Sequence, residues 1–291
     1  MGESSWKGWT AGAANSNRTG IKYIDVCAES VKNDTVYKNF KNIQAYSDVV
    51  TGQSRQQGYD YIQKILKSNS QLLEDDNLLK IIKGDEVGNP KVFEYDQVNK
   101  KISATLLRYT SVLSELIDNF GSLNNLRIVE IGAGYGGQCR VISEFFNFDS
   151  YTIIDLNESC ELARKYLNNF NVDNVRFLIN EDIQNSSNYQ YDLAISNYGF
   201  SELDKDYQEF YIKNILSKSK MGYITYNAMS CHKKSHLGRH ESYDDIEMKE
   251  FLKSYKNLQV YNENVTNSEC SVFTWGKLKN SDPEYISEWL K

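Results

Sequence analysis

Proline is nearly absent from this chain, 2 in 291 residues, and histidine is almost as scarce, 3 in all. So few prolines leave long stretches free to form helices and strands. So few histidines confine imidazole chemistry to one short segment, His232, His236 and His240. Basic charge is also in deficit: 33 Lys and Arg against 39 Asp and Glu give a net charge of −6. That balance argues against a nucleic acid partner, which calls for a basic surface. No apolar run approaches the ~20 residues of a membrane-spanning helix, so no membrane span is expected. The 5 cysteines are scattered, odd in number and never in a CxxC pair. This spacing speaks against a zinc site or a disulfide framework and for reduced thiols in a cytoplasmic protein. Met1 to Gly20 is small and polar and lacks the apolar core of a signal peptide. The abrupt start leaves open that the chain is cut from a longer polypeptide.

What is present is ordinary for a globular chain, with 40% hydrophobic and 25% charged residues. From Thr35 to about Ile82 the pattern is mainly helical, and Tyr59, Ile62, Ile65 and Leu66 suggest one apolar face. Lys83 to Pro90, with two glycines and a proline, breaks any helix. A further helix is expected from Ser103 to Phe120, burying Leu106, Leu107, Leu113, Leu116 and Ile117. Residues 1–121 thus read as a helical region placed to act as a lid, and 122–291 as a second domain.

After Gly121 the rhythm changes. β-rich runs appear at Arg127–Ile131, Tyr151–Asp155, Val175–Ile179, Asp192–Ser196 and Gly222–Tyr226, separated mostly by helix-length segments. Such alternation predicts an α/β fold with five parallel strands. Leu258–Tyr261 and Ser271–Trp275 lie too close together for a helical crossover and are expected to pair antiparallel at the sheet edge. The expected fold is a Rossmann-like sheet of the class I methyltransferase kind, with a mainly helical N-terminal region.

The first strand runs into Glu130-Ile-Gly132-Ala133-Gly134-Tyr135-Gly-Gly137-Gln138. Its glycines let the backbone turn tightly and approach a ligand, and they satisfy GxGxxG literally, so the loop fits a dinucleotide as well. Glu130, two residues before Gly132, suits the ammonium and sulfonium of S-adenosylmethionine (SAM) and would repel a pyrophosphate. Asp155 ends the next strand at the spacing that grips ribose hydroxyls, with Leu156 beside it. Glu181 and Asp182 are candidates for the adenine amine, and Ile183 for packing on the ring.

Four blocks resemble the putative sugar O-methyltransferase family of class I SAM-dependent enzymes: Gly88-Asn89-Pro90, Leu107-Arg108-Tyr109, IVEIGAGYGGQ (Ile128–Gln138) and YDLAISNYGFSEL (Tyr191–Leu203), the last followed by Gly222–Asn227. The likeness spans Asp85 to Asn227 and departs from the family in Gly199, where the family has Ala, and at Ser103-Ala104, where it has Ser-Pro. It implies SAM as cofactor, S-adenosylhomocysteine (SAH) as product and a sugar or glycan acceptor.

A sugar hydroxyl needs a general base. His232, His236 and His240 follow the fifth strand, at the carboxyl end of the sheet, and Glu202 is the competing candidate. Lysines between the histidines, and few acids nearby, disfavour a metal ion. Asn197, Tyr198 and Asn227 are placed to position cofactor or substrate. Arg108 and Tyr109 are candidates to fold over the site, with Arg108 suited to an anionic acceptor. Two other readings compete: an NAD(P)-dependent oxidoreductase, and a non-catalytic binding module of methyltransferase-like fold.

Overall fold

The computed structural model of this protein describes residues 21–185, 190–227, 242–265 and 270–276. It opens on α1 (Tyr23–Lys32), the single turns α2 (Asp34–Tyr37) and α3 (Gln44–Tyr46), and a π-helical turn at Ser47–Thr51. Next come α4 (Arg55–Ser68) and α5 (Asp75–Ile82). The helical segment expected from Thr35 to Ile82 is therefore several pieces, and helix already begins at Tyr23. Ser54 starts α4 with a capping box: its hydroxyl accepts from the Gln57 N–H and the Gln57 side chain accepts from the Ser54 N–H. The buried face of α4 is Gly58, Tyr61, Ile62 and Ile65, while Tyr59 and Leu66 are exposed. That set follows the i, i+3, i+4, i+7 spacing of one helix stripe, rotated from the expected face and sharing Ile62 and Ile65 with it.

Beyond the helix break expected at Lys83–Pro90, a hairpin not signalled in the sequence forms from β1 (Val92–Tyr95) and β2 (Lys100–Ser103). Asn99 turns the chain with φ +47°, a conformation that asparagine tolerates better than most side chains. Ser103 then caps α6 (Ala104–Phe120), and its N–H and hydroxyl both donate to the Asp85 carboxylate at 2.7 Å. α6 buries the five expected leucine and isoleucine positions and also Arg108, Ser111 and Ser114. It is a central helix, packed between α4 on one side and α7 (Gly137–Ser143) on the other.

The sheet contains β3 (Arg127–Ile131), β4 (Ser150–Ile154), β5 (Val175–Leu178), β6 (Tyr191–Asn197), β7 (Ser219–Asn227), β8 (Gln259–Asn262) and β9 (Cys270–Trp275), in the order β5-β4-β3-β6-β7-β9-β8. β3 to β7 are parallel, and β9 pairs antiparallel with both β7 and β8. The antiparallel pair expected at the edge is present, with β9 inserted between β7 and β8. Helices α8 (Asn157–Asn168), α9 (Asn180–Asn185), α10 (Lys205–Asn214) and α11 (Asp245–Leu252) complete the layers. This order, with one reversed strand next to the edge, is the Rossmann-like class I methyltransferase sheet. One apolar core runs without a break from Tyr23 and Cys27 in α1 through α6 to Ile128 and Ile153 in the sheet. A second core on the opposite face gathers Val129, Phe200, Tyr226 and Phe273. Among the described residues no helix is long and apolar enough to cross a membrane.

Candidate functional site

The carboxyl ends of β3, β4, β6 and β7 face a cavity of about 360 Å³, a size usual for small-molecule sites. Its floor is the glycine loop, Gly132, Ala133 and Gly134, with Glu130 and Ile131 below it. Asp155 and Leu156 form one side, and Asn197, Tyr198, Gly199, Glu202, Leu203 and Asn227 the other. Tyr23, Asp48, Val49, Val50, Gln53, Arg108 and Tyr109 close it from the helical region.

Two loops meet backbone to backbone at this floor. A Cβ on Gly132 would stand 2.7 Å from the Gly199 Cα, and one on Gly199 would stand 2.8 Å from the Gly132 Cα. Gly132 also sits at φ +74°, where L side chains are strained. The alanine that the resembled family carries at position 199 would not fit here without moving one loop. Next to Gly199, Tyr198 adopts φ +67°, a genuine outlier for an aromatic residue. Its N–H donates to the Thr225 carbonyl, which holds the loop against β7.

Asp155 is placed by the end of β4. Its carboxylate accepts from the Gly134 N–H at 2.8 Å and the Leu156 N–H at 2.7 Å, tying strand to glycine loop. Burial pushes its carboxyl up to about 6. Glu130 accepts from the Tyr151 hydroxyl at 2.8 Å, and burial pushes it up to about 7. Asp48 and Glu202 add two more carboxylates to the wall. Arg108 is the only cation among the described residues lining the cavity. The Asn197 Nδ2 donates to the Gln138 Oε1 at 3.4 Å, and its own buried Oδ1 has no hydrogen-bond partner among the described residues.

Among the residues singled out from sequence, the cavity gathers Glu130, Gly132, Ala133, Gly134, Asp155, Leu156, Asn197, Arg108, Tyr109, Tyr198, Asn227 and Glu202. Five others stand off its wall. Tyr135 turns away from the loop into an aromatic cluster, edge-on to Tyr166 at 4.7 Å and beneath the Lys41 ammonium at 4.4 Å. Gln138 is fully buried and donates to the Tyr109 carbonyl, so it braces α6 against α7. Glu181 and Asp182 are exposed, Asp182 accepting from the Ile179 N–H, and Ile183 packs into the second core. His232, His236 and His240 lie outside the described residues. Among the described residues no group of three or more His, Cys, Asp and Glu side chains could hold a metal ion.

Sequence reasoning missed Tyr23, Asp48, Val49, Val50 and Gln53. Their segments show no motif. The one signal is structural, since Ser47–Thr51 is a π-helical turn, a feature enriched at functional sites.

No protein-family model matches the sequence, and no curated protein matches it either. Similar solved structures include the N-methyltransferase NodS from Bradyrhizobium japonicum WM9 with SAH, at 13% identity and TM-score 0.45 over 58% of this chain and 84% of that one. Magnesium protoporphyrin IX methyltransferase (ChlM) from Synechocystis PCC 6803 with SAM is 14% identical, TM-score 0.43, over 58% of this chain and 78% of that one. An rRNA methylase from Streptococcus thermophilus is 13% identical, TM-score 0.39, over 55% and 90%.

Proposed function

We propose that this protein is a SAM-dependent methyltransferase acting on a hydroxyl of a sugar, either a nucleotide sugar or a glycan. The observation that carries the reading is the acidic lining of the cavity: among the described residues four carboxyl groups, Asp48, Glu130, Asp155 and Glu202, face one guanidinium. At the glycine loop, Glu130 and Asp155 favour a ligand bearing a sulfonium and an ammonium and disfavour a pyrophosphate there, although the loop spells GxGxxG. The donor set therefore fits SAM better than NAD(P). Asp155 would take the ribose hydroxyls, with Leu156 against the nucleoside, and Glu130 and the Gly132–Gly134 backbone the amino acid end.

SAM supplies a methyl carbon already activated by its sulfonium. The protein's share is then to align the acceptor oxygen with that carbon and to remove its proton. Asn197, Tyr198 and Asn227 are the groups proposed to align it, together with Tyr109. As the oxygen bonds to the methyl carbon, the C–S bond breaks, its electron pair stays on sulfur, and the hydroxyl proton passes to the base. Glu202 on the cavity wall is the described candidate base, and the His232–His240 segment is the other. The sugar acceptor is supported by the sequence resemblance, and cytoplasmic location by the cysteine pattern.

Calorimetry with SAH, SAM and NAD tests the cofactor. SAH and SAM should bind while NAD does not, and NAD binding without SAH would replace this reading with the oxidoreductase. Methyl transfer from SAM to a panel of nucleotide sugars and oligosaccharides, read by mass spectrometry, tests the acceptor. SAH binding with no acceptor methylated in that panel would favour a non-catalytic module.

A further inference from the structure

The cavity wall holds a buried cation whose hydrogen-bond partners among the described residues are all neutral. Arg108 is only 9% exposed. Its Nη2 donates to the Val50 carbonyl at 3.3 Å. The Gln53 amide oxygen faces Nη1 at 3.1 Å, the orientation in which the Gln53 nitrogen can donate to Thr105 Oγ1. The Nε is buried and has no hydrogen-bond partner among the described residues. The rings of Tyr109 and Tyr198 flank the guanidinium, with centroids 5.1 and 5.7 Å from its central carbon.

A guanidinium stays charged at any physiological pH. Buried without a counter-charge it costs the fold free energy, so buried arginines are ordinarily paired with a carboxylate. No carboxylate pairs with this one among the described residues, although the cavity it lines carries four. Its place on the wall is also distinctive. Arg108, Asn197 and Tyr198 line both the cavity and a small void that continues past them toward Thr225 and Glu263. The cation therefore stands beside the loop after β6, against the Tyr198 ring, and near enough to Glu130 for its charge to oppose the rise of that carboxyl.

We propose that Arg108 is the anion receptor of this site and that the ligand completes its charge pair with an oxyanion, a carboxylate or a phosphate. The inference rests on reading the cavity as the cofactor and acceptor site. Two sources present that chemistry there: the amino acid carboxylate of the cofactor, and an acidic group on the acceptor. A planar fork between two aromatic faces suits a two-oxygen anion in either case.

The test compares wild type with Arg108→Gln in two titrations. The first uses SAH and decarboxylated SAH, which keeps the nucleoside and the ammonium. If the cofactor's carboxylate is the partner, wild type prefers SAH by about tenfold to hundredfold, and the preference disappears in Arg108→Gln. The second adds inorganic phosphate to the SAH-saturated proteins. If the acceptor's anion is the partner, phosphate binds the saturated wild type and not the saturated variant. A preference for SAH that survives in the variant, with phosphate binding both proteins or neither, overturns the proposal. Should Arg108→Gln fail to fold, Arg108→Lys keeps the charge, loses the paired donors and takes its place in the same comparisons. A wild type that binds neither nucleoside would instead overturn the methyltransferase reading. Phosphate titrated into the ligand-free proteins then decides the role of Arg108 by itself.

Discussion

The two ends of the sheet treat buried charge in opposite ways. At the amino end, Asp192, the second residue of β6, is fully partnered. The Arg127 Nε and Nη2 reach its two oxygens at 3.0 and 3.2 Å, the Arg127 N–H donates at 3.0 Å, and the Lys220 ammonium sits at 2.7 Å. Burial would raise its carboxyl, but Arg127 and Lys220 hold it well below the usual range. At the carboxyl end, Glu130 and Asp155 are buried with neutral hydrogen-bond partners and are pushed up by that burial. One end spends its charges on joining strands, and the other leaves them incomplete until a ligand arrives. In an open α/β sheet the carboxyl end is where ligands bind, so the contrast follows the topology.

The sharpest way to test that contrast is to remove a reacting group from the carboxyl end. Glu202→Gln, His232→Ala, His236→Ala and His240→Ala should be assayed for turnover beside SAH affinity. One of the four is expected to lose roughly 10²–10⁴-fold in turnover with SAH affinity kept. Normal turnover in all four would leave catalysis to alignment alone.

Next in size is Asp155→Ala, expected to weaken SAH by about 1–3 kcal/mol, the scale for leaving polar partners unpaired. Undiminished affinity by calorimetry would take Asp155 out of the site. Its counterpart at the amino end, Asp192→Ala, should cost about 1–3 kcal/mol of folding stability in urea, because two cations lose their partner. SAH affinity should not change, and a parallel loss of affinity would erase the distinction between the two ends.

The remaining expected effect is on pH dependence, and its sign differs between the ends. Glu130 and Asp155 hold their protons in the fold up to about 7 and about 6, whereas free carboxyls of their kinds ionise at 4.5 and 3.8. Their stabilisation is therefore complete in acid and is lost as the pH rises through 6 and 7. The stability Asp192 contributes is present above 3.8 and is lost as the pH falls below it. A ligand that needs ionised carboxylates must displace those protons, so SAH affinity should rise with pH between about 5 and 8, by up to about tenfold per unit for each proton released. Glu130→Gln should flatten that rise, and a pH-independent affinity in wild type would show that neither acid meets the ligand.

Much of this was legible before any coordinates. The alternation of β-rich runs and helices predicted five parallel strands, because strands buried on both faces read as unbroken apolar runs. The glycine loop, Asp155, Asn197, Tyr198 and Glu202 were visible as a set because local turn chemistry fixes what stands at each strand end. The hairpin at β1 and β2 was not, since its strands are four residues each and half exposed. Nor was the true face of α4, where Gly58 and Tyr61 displaced Tyr59 and Leu66. Tyr135 shows the same limit at the site: its position in the loop is fixed, but its ring follows the aromatic cluster and leaves the cavity.

By itself, then, the sequence determined the element order, the parallel sheet and the ligand-facing ends of its strands, all of which depend on spacing along the chain. Only the tertiary structure decided that Val50, Gln53 and Tyr23 close the cavity, that Gly132 and Gly199 touch, and that Arg108 lies buried with only neutral hydrogen-bond partners among the described residues. Those outcomes depend on residues 50 to 150 positions apart meeting in one core, and no local periodicity encodes such a meeting.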